Sequence, residues 1–225
     1  MSMPEGPEGM LEPVRVPTAY GDGRLVVVPA AEARATLLLS HGAGNGIESH
    51  DLAALMAPLT GLPSHGITVA GFDQPWRVAG RKIATAPPTL DVGLRAAAAA
   101  LGAQGPLVVG GRSAGARSAA RCARDLHAVG CVTISFPLHP PGRPERSRLD
   151  ELSGVGVPTL VVQGERDAMG RPEEFPPLPG VRHVVVPWAD HGLKVPKTAP
   201  LTLAEAHALL VSAVAGWIWG LAGNP

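Results

Sequence analysis

The chain has 225 residues and no formal net charge, with 19 lysines and arginines against 19 aspartates and glutamates. This balance provides no overall field that would favour nucleic acid or an anionic membrane surface as a partner. The length suits one domain, or one domain with a tail, able to bury roughly 70 to 75% of the unfolded surface.

Residues 1–23 are rich in proline, glycine and glutamate, and we predict a loosely ordered lead over this segment. The lead lacks the basic start and apolar centre of a secretory signal, and no run in the chain reaches the roughly 18 apolar residues of a membrane span. The two cysteines, Cys122 and Cys131, have apolar neighbours, which favours buried free thiols over a disulfide. We therefore expect a cytoplasmic protein with a single domain over residues 24–225.

Short β-branched and leucine-rich runs predict strands at residues 25–28, 35–40, 67–73, 107–109, 131–136, 158–163 and 181–186. Apolar residues at helical spacing predict helices between and after them, at about 50–61, 89–101, 114–128, 148–153 and 202–219. The expected N-caps are Ser49 or Asp51 for the first helix and Thr89 for the second. Residues 74–88 and 137–148 are expected to be loops. Strands alternating with helices predict a mostly parallel α/β sheet with helices on both faces.

Residues 105–117 contain a strand that ends in Gly-Arg-Ser-Ala-Gly at 111–115 and runs into an alanine-rich helix. This is G-x-S-x-G in the strand–turn–helix setting of a nucleophile elbow. A serine at such a turn occupies a disfavoured backbone conformation that costs about 1 to 3 kcal/mol. The flanking glycines prevent a collision between strand and helix. We predict that Ser113 Oγ stands above the sheet, beside helix N–H groups that favour an oxyanion.

Polar segments follow four of the predicted strands: the loop 41–46, Ser113, Asp167 and His191. In open α/β sheets, ligands bind beyond the carboxyl ends of the strands. A hydroxyl is a weak nucleophile at neutral pH until an imidazole takes its proton, and that imidazole needs a carboxylate to fix its tautomer. Serine, acid and histidine in this chain order are what an α/β-hydrolase sheet supplies.

The chain resembles the α/β-hydrolase superfamily in three motifs. These are Gly-Arg-Ser-Ala-Gly at 111–115, the strand-ending Gly-Glu-Arg-Asp at 164–167 and the late Asp-His-Gly at 190–192. At 37–44, 80–82 and 136–142 the chain is also similar to a narrower group of small, cap-poor hydrolase-like proteins. This group includes a testis-expressed protein and a domain of a chromatin-acetyltransferase complex subunit. Dienelactone hydrolase is a more distant relative. The resemblance covers about 24–220. It implies an α/β-hydrolase fold with little or no cap domain, and no particular substrate.

The resemblance also implies the role of each site residue. Ser113 is the nucleophile, His191 the general base and then acid, and Asp167 the carboxylate that orients the histidine. The implied oxyanion donors are the backbone N–H groups of Ala43 and Ala114, with Gly44 as an alternate. Further residues are candidates for the wall of the substrate pocket: His41, Trp76, Arg112 and His139.

Several assignments have rivals. The alternative for Asp167 is that it only caps the turn after its strand. The alternative for His191 is that it is an ordinary loop histidine. Glu165 comes earlier in the same turn and is a weaker choice of acid, and Asp190 is unsuitable because it adjoins the histidine. His139 follows a strand and is a rival base.

Trp76 alternatively only covers the core, and His41 is expected to hold the oxyanion loop in place. A separate hypothesis is that four arginines gather near the site and favour an anionic substrate: Arg112, Arg143, Arg146 and Arg148.

The expected activity is hydrolysis of a carboxylic ester or thioester of a small substrate by a serine hydrolase that forms an acyl-enzyme. The alternatives are a non-catalytic hydrolase-like binding or scaffold protein, and a peptidase or acyltransferase of the same fold. The spacings H-E-x-x-H and C-x-x-C are missing, and no G-x-G-x-x-G opens a helix after the first strand, so no metal or cofactor is expected. The connection between residues 136 and 158 is too short for a large lid, which predicts an open, shallow site.

Overall fold

The computed structural model describes residues 11–82, 85–103 and 105–221, across which eight strands form one sheet. The strands are β1 (Val14–Thr18), β2 (Gly21–Val28), β3 (Ala35–Ser40), β4 (Ile67–Asp73), β5 (Leu107–Arg112), β6 (Gly130–Ile134), β7 (Thr159–Gly164) and β8 (Val181–Val186). Their order in the sheet is β1-β2-β4-β3-β5-β6-β7-β8. β2 pairs antiparallel with β1 and β4, and the pairs from β4 to β8 are parallel. The mostly parallel sheet is confirmed.

The helices lie on both faces of this sheet, as expected. They are α1 (His50–Met56), α2 (Pro75–Val78), α3 (Pro87–Leu101), α4 (Ala114–Cys122), α5 (Leu149–Ser153) and α6 (Leu203–Leu221). One hydrophobic cluster joins α1 and α6 to the sheet, and a second joins α3, α4 and α5 to the opposite face. Every residue of β3, β6 and β7 is buried, because strands covered on both faces have no solvent side. The architecture is the α/β-hydrolase fold.

The predicted lead over 1–23 is wrong for its second half. Residues 14–18 and 21–28 form the hairpin of β1 and β2, with Val14 opposite Leu25, and residues 1–10 lie outside the described part of the chain. Val16 is 1% exposed and belongs to the core. Proline and glycine in this segment suggested a loop, whereas Pro17 lies in the edge strand β1 and Gly21 and Gly23 lie at the start of β2.

The predicted side-chain caps of two helices are absent, although α1 begins at residue 50 as expected. Ser49 occupies the N-cap position of α1 without a side-chain cap bond, and Asp51 Oδ1 instead accepts from Leu52 N at 3.0 Å. α3 begins at Pro87, and Thr89 Oγ1 donates to the Ala86 carbonyl at 2.7 Å, inside the helix rather than ahead of it. Proline at the first helical position starts the helix without a side-chain cap, because its missing N–H is one that a helix leaves unpaired anyway.

The ends of two helices are also earlier than predicted. α1 ends at Met56 rather than near 61, and Leu59, which was expected on its buried face, is 86% exposed. α4 ends at Cys122 rather than near 128. The predicted loop 74–88 contains the single turn of α2, and its residues 83–84 lie outside the described part. Apolar periodicity continued beyond these ends, but a proline at 58 prevents α1 from continuing.

α6 is the one described helix that is long and apolar enough to cross a membrane, with a mean hydropathy of 1.3 over its best window. Its apolar side chains pack into the core against the sheet, including Leu210, Val214 and Ile218, none of which is more than 1% exposed. Packing of one side against the sheet accounts for the apolar composition of this helix.

Cys122 and Cys131 are both buried and free, as expected. Burial raises the pKa of the Cys122 thiol to about 11 and raises the pKa of Cys131 as well. The thiolate is the reactive form of cysteine, so neither side chain is a nucleophile at neutral pH. Both act as small apolar residues in the core.

Candidate active site

Ser113 lies between β5 and α4 at a sharp turn. Its backbone has φ 53° and ψ −111°, a conformation with positive φ that costs an L-residue about 1 to 3 kcal/mol. The Ser113 N–H donates to the Ile134 carbonyl at 2.9 Å, which ties the turn to the neighbouring strand β6. Ala114, the next residue, begins α4, so its N–H has no acceptor within the helix.

Two glycines make this turn possible. A Cβ atom at Gly111 would lie 2.5 Å from the Ser40 carbonyl oxygen, and one at Gly115 would lie 2.7 Å from the His41 carbonyl oxygen. Both clashes involve backbone at the end of β3, which cannot rotate away. The glycines therefore let β3, the elbow and α4 approach closely, as their spacing predicted.

Gly115→Ala is expected to destabilise the protein by about 2 to 4 kcal/mol, because backbone must shift to admit the methyl group. Gly216→Ala is the matched control, since Gly216 is exposed on α6 with open space around its Cα. That substitution should stabilise by about 0.5 to 1 kcal/mol through helix propensity. Urea unfolding measures both, and an equal effect of the two would contradict the close packing at the elbow.

Ser113, His191 and Asp167 come together although they are distant in the chain. Ser113 Oγ lies 2.9 Å from His191 Nε2, and His191 Nδ1 lies 2.8 Å from Asp167 Oδ2. The carboxylate can only accept, so His191 Nδ1 carries the proton and Nε2 is free to accept one from Ser113. The Asp167 side chain is fully buried and that of His191 is 24% exposed. The three side chains therefore form a chain of hydrogen bonds with the geometry of a serine–histidine–acid triad.

Asp167 bonds to His191 and also caps its own turn. Its Oδ1 accepts from Met169 N at 2.8 Å, while Oδ2 accepts from His191 and from Gln163 Nε2 at 2.8 Å. The rival acids are occupied elsewhere. Glu165 Oε2 accepts from Trp188 N, and Asp190 Oδ1 accepts from Gly192 N at 2.8 Å.

Gln163, at the end of β7, is a site residue that the sequence reasoning missed. It is 1% exposed, and its Oε1 accepts from Phe136 N at 2.9 Å while its Nε2 donates to Asp167. Nε2 also lies 2.8 Å from the Gly170 carbonyl, so the side chain joins the ends of β6 and β7 to the turn that carries the acid. A lone amide in a buried apolar strand was the available signal, because such a group requires partners.

Gln163→Leu is expected to lower kcat/KM by about tenfold to a hundredfold, since a poorly oriented Asp167 misplaces the imidazole. It should also cost about 1 to 3 kcal/mol in stability, because Phe136 N loses its acceptor. Thr133→Val is the control, as Thr133 is a buried polar residue whose Oγ1 bonds to the Leu160 carbonyl at 3.3 Å. Steady-state kinetics measures the activity of both variants, and urea unfolding measures their stability. If the two variants lose similar activity, Gln163 does not orient the acid.

The loop 41–46 lies directly against the elbow, since a Cβ atom at Gly42 would be 3.3 Å from Ser113 Cβ. His41 fixes this loop from within the core. Its Nε2 accepts from Gln74 N at 3.0 Å, which leaves the proton on Nδ1 to donate to the Gly42 carbonyl at 2.7 Å. Burial lowers the pKa of His41, so the ring stays neutral in this role. The exposed residues Ala43 and Gly44 follow at the rim.

Trp76 and Arg112, two further pocket candidates, contact other groups of the protein. Trp76 is 3% exposed and packs edge-on against His41, with ring centroids 5.3 Å apart, so it covers the core. Of the other arginines in the predicted cluster, Arg148 Nη1 donates to the Pro137 carbonyl at 2.9 Å, while Arg143 and Arg146 are exposed. Arg112 does border the site, but its guanidinium contacts protein groups. The hypothesis of an arginine cluster for an anionic substrate stays a prediction.

His139, the rival base, pairs with Glu174 instead. Its Nε2 lies 2.9 Å from Glu174 Oε2, and its Nδ1 lies 2.9 Å from the Pro140 carbonyl. The hydrogen bond to the Pro140 carbonyl, followed by the contact with Glu174, raises the pKa of His139. These contacts favour the protonated ring and leave it no free nitrogen for a serine.

The raised pKa of His139 predicts a pH-dependent contribution to stability. A histidine whose pKa is higher in the folded state stabilises fully below its unfolded pKa, and the contribution disappears as pH rises through the folded pKa. The loss of thermal stability in His139→Gln is therefore expected to be larger near about pH 5 than near about pH 8. Thermal unfolding of wild type, His139→Gln and Glu174→Gln at both pH values measures it. A larger loss at the higher pH would contradict the assignment.

A central parallel sheet with an elbow serine at its carboxyl edge defines the α/β-hydrolase class of proteins. The sequence matches the alpha/beta hydrolase domain family over residues 33–219, and the chain belongs to this family. No curated protein sequence matches it.

Solved structures with this fold include three informative relatives. An alpha-beta serine hydrolase homologue from Coxiella burnetii is 18% identical with a TM-score of 0.69, covering 89% of this chain and 96% of its own. A serine hydrolase without a lid from Xanthomonas campestris is 22% identical with a TM-score of 0.68, covering 95% and 97%. Dienelactone hydrolase from Anabaena variabilis is 19% identical with a TM-score of 0.69, covering 93% and 96%. At these identities the similarity shows a shared fold. One of the structures with this fold is a hydrolase without a lid.

Proposed function

We propose that this protein is a serine hydrolase that cleaves a carboxylic ester or thioester of a small substrate through an acyl-enzyme. The observation that carries the proposal is the chain of two hydrogen bonds from Ser113 Oγ to His191, at 2.9 Å, and from His191 to Asp167, at 2.8 Å. The three side chains lie at the elbow of an α/β-hydrolase sheet. In this arrangement the histidine can take the proton of the serine hydroxyl at neutral pH.

The reaction follows from the protonation states of these groups. His191 Nε2 takes the Ser113 proton as Oγ attacks the carbonyl carbon, and Asp167 stabilises the imidazolium that forms. His191 then gives this proton to the departing alcohol or thiol, which leaves an acyl group on Ser113. A water molecule, deprotonated by the same nitrogen, releases the carboxylic acid and restores the serine.

The tetrahedral oxyanion is proposed to bind the N–H groups of Ala43 and Ala114, with Gly44 as an alternate to Ala43. The N–H of Ala114 opens α4, where the helix dipole also favours negative charge. The contact between Gly42 and Ser113 places the loop of Ala43 beside the nucleophile. Each such donor supplies on the order of 3 kcal/mol of transition-state stabilisation.

Labelling with a fluorophosphonate tests the proposal, because this probe phosphonylates a serine that is activated by a histidine. Wild type should label on the peptide that carries Ser113 and should hydrolyse short nitrophenyl esters, whereas Ser113→Ala should do neither. Ser153→Ala, at the end of α5, serves as a control that leaves labelling intact. If wild type neither labels nor turns over esters, a non-catalytic binding or scaffold protein with this fold becomes the better description.

The setting of this activity is part of the proposal. We propose a cytoplasmic enzyme acting on soluble small molecules rather than on nucleic acid or membranes, which is supported by the neutral net charge and the two free thiols. Kinship with the cap-poor group that includes a testis-expressed protein rests on the segments 37–44, 80–82 and 136–142.

A further inference from the structure

Arg112, the residue before the elbow serine, turns its side chain into the protein. Its guanidinium is 12% exposed, and Nε lies 2.8 Å from Oδ2 of Asp51, whose own side chain is 1% exposed. Nη2 donates to the backbone carbonyl of His191 at 3.1 Å. One cation thus connects the first turn of α1 with the loop that carries the histidine.

The guanidinium also lies against the backbone of the oxyanion loop and against Gly192 of the histidine loop. A Cβ atom at Gly42 would be 2.9 Å from Arg112 Nη1, and one at Gly192 would be 3.7 Å from Nη2. Glycine at 42 leaves the space through which the arginine reaches Asp51. The side chain therefore contacts the oxyanion loop, α1 and the histidine loop at the same time.

We propose that Arg112 is a positioning residue that holds the His191 loop and the oxyanion loop in register with Ser113, with Asp51 as its fixed countercharge. This inference rests on the proposed hydrolase function and replaces the expectation that Arg112 lines the substrate pocket. It adds to the role of Asp167, which orients the ring of His191 but not the backbone that carries it.

Arginine suits this position because its planar guanidinium donates in several directions at once, whereas lysine provides a single nitrogen. Asp51 needs the cation, since a buried carboxylate without a partner is strongly destabilising. The His191 loop needs an external anchor as well. Asp190 Oδ1 holds its turn locally by accepting from Gly192 N and Lys194 N, and Arg166 N donates to the Ala189 carbonyl at 2.8 Å ahead of it. At residue 191 itself, the backbone carbonyl accepts from Arg112 Nη2 at 3.1 Å.

A set of variants separates positioning from stability. Arg112→Met should lower kcat by about tenfold to a hundredfold with little change in KM, and should lower Tm by about 10 °C because Asp51 is left unpaired. Asp51→Asn combined with Arg112→Met removes the stranded charge, so Tm should recover while kcat stays low. Arg112→Lys keeps the charge beside Asp51 and should retain Tm but only part of kcat.

Arg117→Met is the matched control. Arg117 lies on α4, and its guanidinium forms a bidentate ion pair with Glu151 at 2.6 and 2.7 Å, away from the triad. This variant should lose stability and keep kcat. If kcat of the double variant returns together with Tm, Arg112 is merely structural and the proposal is overturned. A rise in KM confined to anionic esters, with kcat unchanged, would instead assign Arg112 to substrate binding.

Hydrogen exchange gives a readout that does not require activity. Amides in residues 188–195 should exchange about tenfold faster in Arg112→Met and in the double variant than in wild type or Arg117→Met. Unchanged exchange in that segment overturns the proposal. If wild type proves inactive, the proposed hydrolase function fails, and this measurement still decides whether Arg112 holds the loop.

Discussion

Replacing His191 with glutamine is expected to lower kcat/KM for nitrophenyl esters by a factor on the order of 10⁴ to 10⁶, the range in which the loss of a triad base falls. The imidazole Nε2 is 2.9 Å from Ser113 Oγ and is the group placed to take its proton. A glutamine amide can hydrogen-bond to the hydroxyl but cannot accept its proton at neutral pH. Steady-state kinetics and the rate of fluorophosphonate labelling should fall together.

His139→Gln is the control for this experiment, because His139 was the rival base and is held by Glu174 and the Pro140 carbonyl. Its kcat/KM should stay within about twofold of wild type. The assignment of the base is contradicted if His139→Gln is the inactive variant, or if His191→Gln retains the activity of wild type while folded by circular dichroism.

Asp167→Asn should lower kcat by a factor on the order of 10⁴ while the fold is preserved. The amide can present its oxygen to Met169 N, which now bonds to Asp167 Oδ1 at 2.8 Å. Its NH₂ group then faces His191 Nδ1 and removes the acceptor that Oδ2 provides for Gln163 Nε2. The histidine must accept that hydrogen bond, so its proton moves to Nε2 and points at Ser113. The variant thus keeps His191 in the tautomer that cannot take the proton of Ser113. Esterase kinetics measures the loss of kcat, and Tm shows whether the variant is folded.

Asp190→Asn is the matched comparison, because Asp190 adjoins His191 and its Oδ1 accepts from Gly192 N and Lys194 N, a role that an asparagine oxygen can fill. Its kcat should remain within about twofold of wild type. Equal losses in the two variants would mean that the shape of the histidine loop, and not the carboxylate at 167, limits the reaction.

The sheet was predictable where the sequence pattern was strong. β3 and β7 are continuous apolar runs with no exposed residue, a pattern that indicates a strand covered on both faces. The hairpin of β1 and β2 was partly missed, because its edge strand contains proline and the start of β2 contains glycine, residues that suggest a loop. Helix ends were unreliable for a similar reason, since apolar spacing continues past the point where Pro58 stops α1.

The site was predictable to the extent that chemistry restricts the choice of residues. The distance between Ser113 Oγ and His191 Nε2 falls within hydrogen-bond range, as expected from the order of elbow, acid and histidine. The supporting residues were not foreseen. Gln163 and Asp51 come from a strand end and a helix start, and their partners are set by tertiary packing that single-sequence patterns do not contain.

The buried state of the two native thiols also makes the protein convenient for spectroscopy. Because Cys122 and Cys131 are buried and poorly ionised at neutral pH, maleimide reagents should leave them unmodified. A cysteine introduced at Leu59, which is 86% exposed, would then take up a dye or spin label selectively in the otherwise native sequence. The signal of such a label would report on the surroundings of residue 59, and neither native cysteine would first have to be replaced.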